Sequence, residues 1–496
     1  MDVLSYIEYN AINFSASSDR QIKKMIGQFF TPKEIAKYMA SLIELDINKM
    51  SILDPGAGNG ILSCAVLYKL LENAKVDTVY VDLYENDDKI IELLKSSFYK
   101  MEELYNNHGK KLIYTIKNED FIIKNSEKWR DESFEGEYDI VISNPPYKKI
   151  RKSNDESKLM NSIIYGQPNI YFLFMAMSIK LLKKNGQFIF ITPRSYFCGT
   201  YFNKFRKWLL TNNSIDKISI LDSRKNAFDK EEVLQETVII KGIKNSNQNE
   251  YVEIGKINKS NLFVSDYILN VEKNIVFEDT SNYYIKAPTN KNEYNSLKFI
   301  KKWNNSLEEL GIKVSTGKVV DFRCKDYIFN EKCISNSRVP LIWDINLKDG
   351  YFIWPVDCKK KYQIIAREKD TIPNLNYLFI RRISSKEENR RVQIVQYYKE
   401  MLNTDRIGVE NHVNYIYKID GQLDTFEMLG LYIIFNSNIV DDYFRVLCGS
   451  TQINATEIKS MKFPSHNEIR NIGRIGNKEK DLSSGKCDNI LLDYFK

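Results

Sequence analysis

Between residues 50 and 243, short apolar runs take turns with amphipathic stretches, and this alternation constrains the fold more than any other feature of the chain. "MSILDPGAGNG" (50–60) is an apolar run ending in a glycine-rich turn, and "ILSCAVLYKLLEN" (61–73) has the period of a helix. A strand at 77–85, a long amphipathic helix at 87–107 and strands at 111–116 and 137–144 follow. A helix at 169–184, ended by Asn185-Gly186, leads to a strand at 187–193 and a helix at 202–212. "IDKISILDS" and "ETVIIKGI" add two more strands. Upstream, Thr31-Pro32 marks the start of a helix over 33–45. Strand and helix alternating at this spacing predict an α/β fold around a mostly parallel sheet.

The alternation fails near residue 245. The polar stretch "KNSNQNE" (244–250) reads as a linker, so the expected domains are 1–245 and 246–496. The second is expected to be α+β, with short strands and no clear period. Charge changes along the chain as well. Residues 1–140 are net acidic, whereas residues 141–250 carry twice as many Lys and Arg as Asp and Glu. A polyanion docking at and after residue 147 would account for this; a basic surface kept for solubility is the plainer alternative. No run reaches the length of a membrane span and the N-terminus lacks signal-peptide character, so the expectation is a cytoplasmic protein without a membrane partner. The seven cysteines form no CxxC and there are three histidines, so no metal site is expected.

"LDPGAGNG" (53–60) lies between a strand and a helix. Gly56, Gly58 and Gly60 allow tight backbone turns and close approach of a ligand. Asp54 falls at the carboxyl end of the strand, where open α/β sheets bind ligands. The loop has no GK[ST] lysine and its spacing is GxGxG, while Asp54 would repel a pyrophosphate. A carboxylate here suits a ligand with an ammonium group and no phosphate, such as S-adenosylmethionine (SAM). Glu85, ending the next strand, is placed to bond a ribose. Asp120 and Phe121, after the third strand, offer an acceptor for an adenine amino group and an aromatic wall.

Asn144-Pro145-Pro146-Tyr147 follows the apolar run Ile140-Val141-Ile142. Proline has no N–H to give a sheet ladder, so the strand must stop there. An exocyclic amine on a base is a poor nucleophile because its lone pair is delocalised into the ring. Two acceptors aimed at its hydrogens, the Asn144 side-chain oxygen and the Pro145 carbonyl, would draw it toward sp³ geometry. Prolines hold both in place beforehand, and Tyr147 can stack on the base. The base must leave the duplex to reach such a pocket. The alternative is a rigid strand-to-turn corner.

Phe29-Phe30-Thr31-Pro32, Asp54 to Gly60, Glu85, Asp120-Phe121 and Asn144 to Tyr147, in this order, resemble the N6-adenine DNA methyltransferases of the gamma (TaqI-type) class. The resemblance covers about residues 20–245. It implies a Rossmann-like SAM-dependent methyltransferase domain followed by a C-terminal target-recognition domain. It implies that Thr31 and Pro32 contact the methionine end of SAM, Gly56 its loop, Glu85 the ribose, and Asp120, Phe121 and Pro146 the adenine. Phe228 matches the aromatic on the far face of the flipped base, with a core aromatic as the alternative. The residues before Phe29 are too few for a nuclease domain, so the reading is a methyltransferase alone. It would act on double-stranded DNA, as a monomer or weak dimer, beside a separate restriction endonuclease.

N4-cytosine methylation follows the same chemical logic. Methylation of RNA or of a protein glutamine, and a non-catalytic DNA-binding subunit, are further alternatives. Cytosine-C5 methylation needs a nucleophilic Cys, and none lies near residue 144. In the second domain "RRISSKEENRRVQIVQ" (381–396) is rich in side chains suited to base readout, with a solvated helix face as the alternative. "GVENHVNYIYK" (408–418) and "GSTQINATEIKSMKFP" (449–464) resemble recognition-domain segments of the same class.

Overall fold

A computed structural model describes residues 2–17, 30–44, 49–221, 236–246, 249–257, 267–278, 282–329, 338–356, 363–365, 368–384, 388–447 and 452–496. The chain divides into two compact units, Met1–Asn290 and Lys291–Lys496.

The first unit is built on a nine-stranded sheet in the order β3-β2-β1-β4-β5-β7-β6-β8-β9. Its strands are β1 (Lys49–Pro55), β2 (Thr78–Tyr84), β3 (Lys111–Lys117), β4 (Tyr138–Ser143), β5 (Leu182–Pro193), β6 (Asn213–Leu221), β7 (Thr237–Lys244), β8 (Tyr251–Ile257) and β9 (Tyr267–Glu272). The first five pair in parallel and β7 enters antiparallel between β5 and β6. Strand order runs one way from β1 to β3 and the other way from β4 to β5. The switch therefore falls between β1 and β4, where ligands of such sheets bind.

The longer helices are α1 (Val3–Ser17), α2 (Lys33–Ser41), α3 (Ile61–Leu71), α4 (Asp88–Asn107), α5 (Ile170–Leu181) and α6 (Asn203–Asn212). Asp87 caps α4 by accepting from the Lys89 N–H at 3.0 Å. Helix α5 is apolar nearly all round and almost wholly buried, as a helix in the interior of a sheet-based layer must be. Gly60 opens α3 at φ 81°, and a Cβ there would lie 2.7 Å from Leu94 and 3.0 Å from Phe98. Only glycine lets α4 pack so closely on that turn.

Two expectations are corrected. The boundary at 245 is too early, because β8 pairs with β6 and β9 with β8, so 251–257 and 267–272 extend the first sheet. Helix α5 ends at Leu181 rather than 184. Asn185, at φ 64°, sits in an irregularity at the start of β5, where Tyr138 pairs with Leu182 and Ile140 with Gln187. A left-handed Asn followed by Gly absorbs the extra residues inside the strand instead of ending the helix.

The second unit is α+β. A four-stranded antiparallel sheet has the order β10-β20-β17-β18, from Ile312–Thr316, Val413–Lys418, Tyr377–Arg381 and Ile394–Tyr397. A five-stranded sheet has the order β11-β15-β12-β19-β16. It uses Ile328–Phe329, Gln363–Ile365, Arg338–Ile342, Arg406–Val409 and Thr371–Pro373. A small hairpin, β13 (Leu347–Lys348) and β14 (Tyr351–Phe352), stands between β12 and β15 in sequence. Toward the chain's end lie helices α7 (Thr425–Asn436), α8 (Asn438–Leu447), α9 (His466–Gly476) and α10 (Ser484–Tyr494), with a short helix at Ala455–Ser460 between α8 and α9. Glu427 in the first turn of α7 is fully buried and accepts from Lys418 Nζ and His466 Nε2, both at 2.5 Å.

Candidate active site at the sheet switch point

The glycine-rich turn leaves the carboxyl end of β1 with Gly56 and Gly58 at positive φ, 72° and 58°. Ala57 N–H donates to the Tyr84 carbonyl at 2.8 Å, which ties the turn to the end of β2. Asp54 is fully buried. One of its oxygens accepts from Ser63 Oγ at 2.5 Å, and Oδ1 has no hydrogen-bond partner among the described residues. Burial pushes its carboxyl up to about 7.

Glu85 is buried at the end of β2. Its carboxylate accepts from the N–H groups of Gly58 at 3.0 Å, Asn86 at 2.9 Å and Asp87 at 3.0 Å. Burial raises its pKa against the pull of these donors. Glu85 thus shapes the glycine turn as well as lining the cleft beside it. Asp120 caps the one-turn helix Phe121–Lys124, accepting from Ile123 N–H at 2.9 Å. Phe121 is buried between Tyr84 and Phe174, with ring centroids at 5.1 and 5.2 Å.

The Asn144–Tyr147 segment meets this turn from β4. Ser143 Oγ donates to the Pro55 carbonyl at 2.7 Å, so the ends of β1 and β4 are pinned together. A Cβ on Gly56 would stand 3.5 Å from Phe174 and 3.7 Å from Pro146, so a side chain there would fill the gap between them. A Cβ on Gly58 would stand 3.8 Å from the Phe30 ring. Asn144 Nδ2 donates to Thr31 Oγ1 at 3.1 Å. Three stretches far apart in sequence, around Thr31, Gly56 and Asn144, therefore form one cleft. Pro32 opens α2, and Glu8 of α1 accepts from the Lys33 N–H at 2.8 Å, holding that entry.

The Asn144 amide is fixed at both ends. While Nδ2 binds Thr31, Oδ1 accepts from the Tyr147 hydroxyl at 2.6 Å. That hydroxyl also lies 3.0 Å from the Ile191 carbonyl. Burial pushes the Tyr147 phenol up, so it keeps its proton. The Tyr147 ring meets Tyr171 edge-on at 6.3 Å. Ser63, Phe174, Ser143 and the Ile191 carbonyl belong to the cleft and were not singled out from sequence. Nothing in their spacing distinguishes them from core residues. Phe228 lies outside the described residues.

In the second unit, the stretch 381–396 runs from the end of β17 to β18, two antiparallel partners, with 385–387 outside the described residues; its described part is not a helix face. Its arginines serve its own fold. Arg382 donates to the Asn411 carbonyl at 3.1 Å, Asn454 Oδ1 at 3.1 Å and Gln452 Oε1 at 3.3 Å. Arg391 is fully buried and donates to the carbonyls of Ser384 and Gln452. The segments 381–396, 408–418 and 449–464 do converge, around Arg382. Among the described residues no helix is long and apolar enough to cross a membrane, and no group of His, Cys, Asp and Glu is gathered for a metal ion.

Residues 45–228, which hold the glycine turn and the Asn144 segment, match the family described as Eco57I restriction-modification methylase. The chain is 32% identical over 496 residues to the type II methyltransferase M.BsuBI of Bacillus subtilis, covering 95% of each. Among solved structures the DrdV–DNA complex aligns with a TM-score of 0.47 and 10% identity, over 95% of this chain and 59% of that one. To the type II methyltransferase M.PstI of Providencia stuartii the identity is 33% over 467 residues, 92% of this chain and 90% of that one. A match of that depth across nearly both whole lengths shows that the chain belongs to the type II restriction–modification methyltransferases.

Proposed function

We propose that the chain transfers a methyl group from SAM to the N6 amine of an adenine flipped out of double-stranded DNA, in the manner of the gamma class. The observation that carries this reading is the Asn144 amide, held between Thr31 and Tyr147 at the carboxyl end of β4 beside the glycine turn. With Nδ2 committed to Thr31, Oδ1 is the end turned to a substrate amine. The Tyr147 hydroxyl has one proton and two acceptors in reach. If it gives that proton to the Ile191 carbonyl, Asn144 Oδ1 is released to a substrate N–H and no buried donor is stranded. Fixed acceptors placed where positive charge develops on the amine lower the barrier without reorganisation.

The cleft fits SAM. The Oδ1 of buried Asp54, without a partner among the described residues, suits an ammonium group, Gly56 leaves room between Phe174 and Pro146, and Phe174 beside Phe121 suits the wall of an adenine pocket. When bound, SAM supplies the electrophilic methyl group. Thr31, Pro32, Asp54, Gly56 and Gly58 would hold its amino-acid end, Glu85 its ribose, and Asp120, Phe121 and Pro146 its base. The second unit, 291–496 rather than 246–496, would carry target recognition. The restriction–modification names of the relatives support a separate endonuclease as partner.

The test is to incubate the chain with labelled SAM and mixed-sequence duplex DNA, digest, and identify the labelled nucleoside. N6-methyladenine is expected. Label in N4-methylcytosine, or only in RNA or protein, would overturn the reading.

A further inference from the structure

Directly after Tyr147 the chain exposes Lys148, Lys149, Arg151 and Lys152, and none of them has an ion-pair partner among the described residues. Four uncompensated cations in five residues are held in shape by their backbone. Ile170 N–H donates to the Lys148 carbonyl at 2.8 Å and Ile150 N–H to the Pro168 carbonyl at 3.1 Å. Gln167 Nε2 donates to the Ile150 carbonyl at 2.6 Å. The basic segment is therefore fastened to 167–170, the approach to α5.

Two tyrosines stand on the same approach. Tyr165 and Tyr201 are each 57% exposed. They are neighbours, because a Cβ on Gly166 would collide with the Tyr201 ring at 2.0 Å. A row of ring contacts runs from the site to this place: Tyr147 to Tyr171 at 6.3 Å, then Tyr171 to Phe202 at 5.8 Å, next to Tyr201 in the chain.

Cations that track a backbone, set beside open aromatic faces, make a surface for nucleic acid with unstacked bases. We propose that Lys148, Lys149, Arg151 and Lys152 grip DNA phosphates and that Tyr165 and Tyr201 stack an unpaired base left beside the flipped nucleotide. This rests on the DNA reading above. Removing a base from the duplex leaves its partner and neighbours without a stack, and a ring next to the site restores one.

Binding of the full chain to a paired duplex and to the same duplex with one unpaired base is measured by anisotropy across salt, with SAM titrated in parallel. Tyr165→Ala combined with Tyr201→Leu, which keeps bulk over Gly166, is expected to lose about tenfold in affinity for the unpaired-base duplex. Its salt slope should not change, and Tyr201→Phe should behave as the parent. Replacing the four cations with Ala is expected to flatten the slope of log affinity against log salt by about 3–4. All variants should bind SAM as the parent does. A parent that binds and methylates DNA while both variant sets match it would overturn the proposal and leave the DNA reading standing. A parent that binds no DNA would overturn both.

Discussion

Two polar clusters of this chain meet opposite fates. At the carboxyl ends of β1 and β4, Asp54 is buried with one oxygen that has no partner among the described residues, and the Asn144 amide spans Thr31 and Tyr147. In the β17–β18 hairpin, Arg382 and Arg391 direct their donors to carbonyls and amides of their own unit. In this hairpin, donor-rich composition goes at least partly into the unit's own hydrogen bonds. The strand ends at the switch point are where ligands of such sheets bind, and there Asp54 and Asn144 are held by partners from Ser63, Thr31 and Tyr147.

The sharpest test of that contrast is Asn144→Ala. Removing one preorganised acceptor should lower turnover by about 10²–10³-fold, with SAM affinity by calorimetry close to the parent. Loss of SAM binding would instead make Asn144 a structural residue like the arginines, and the contrast would break. Arg391→Leu probes the other side. It leaves the buried carbonyls of Ser384 and Gln452 short of a donor, and should cost the second unit about 2–3 kcal/mol in denaturant unfolding. Unchanged stability with altered base preference would return Arg391 to the recognition surface.

The same contrast explains what could be read from sequence. β4 and β5 are legible because buried parallel strands carry apolar runs, and β2 and β3, whose burial is broken, because the crossover helices between the strands have a clean period. Thr31, Gly56, Glu85 and Asn144, which the fold brings to one cleft, are legible as candidates because proline, glycine and acidic residues at strand ends stand out from core sequence. β8 and β9 escaped because "YVEIGKI" and "YILNVE" stand beyond a polar stretch that looks like a linker, and their partners are set by topology. Phe174 and Ser63 escaped because each is one ordinary residue in a helix, made part of the cleft only by how the sheet brings β1 to β4. The segments around 382, 411 and 452 meet, and the bonds recorded there run among themselves.

A smaller effect should come from pH. Asp54 in the free chain ionises near 7 because it is buried. Raising the pH from the ordinary carboxyl range through 7 thus forces a charge into the interior, and this group's contribution to stability falls across that window. For a cationic ligand the sign reverses, since the ammonium must meet the carboxylate, and below pH 7 a proton has to leave first. SAM affinity should therefore fall about tenfold between pH 7 and pH 5.5. Asp54→Asn should bind weakly with a flat profile over that range. A parent profile as flat as that of the variant would remove Asp54 from the binding site.

The smallest effect is expected from Tyr147→Phe. The variant keeps the ring and its edge contact with Tyr171, so any stack on a base survives. It leaves the Ile191 carbonyl short of a donor, at about 1 kcal/mol, and it takes away the hydroxyl that occupies Asn144 Oδ1 when no amine is bound. These two consequences oppose each other in turnover, because one loosens the corner and the other frees the acceptor. Turnover should therefore stay within about fivefold of the parent. The Asn144 amide would still be held through Nδ2 by Thr31, so Thr31→Val in the Tyr147→Phe background should lower turnover more than in the parent. A hundredfold loss from Tyr147→Phe alone would mean that the hydroxyl is what aims the amide. Tyr147 and Asn144 would then act as one unit, and the release of Oδ1 through Ile191 would be wrong.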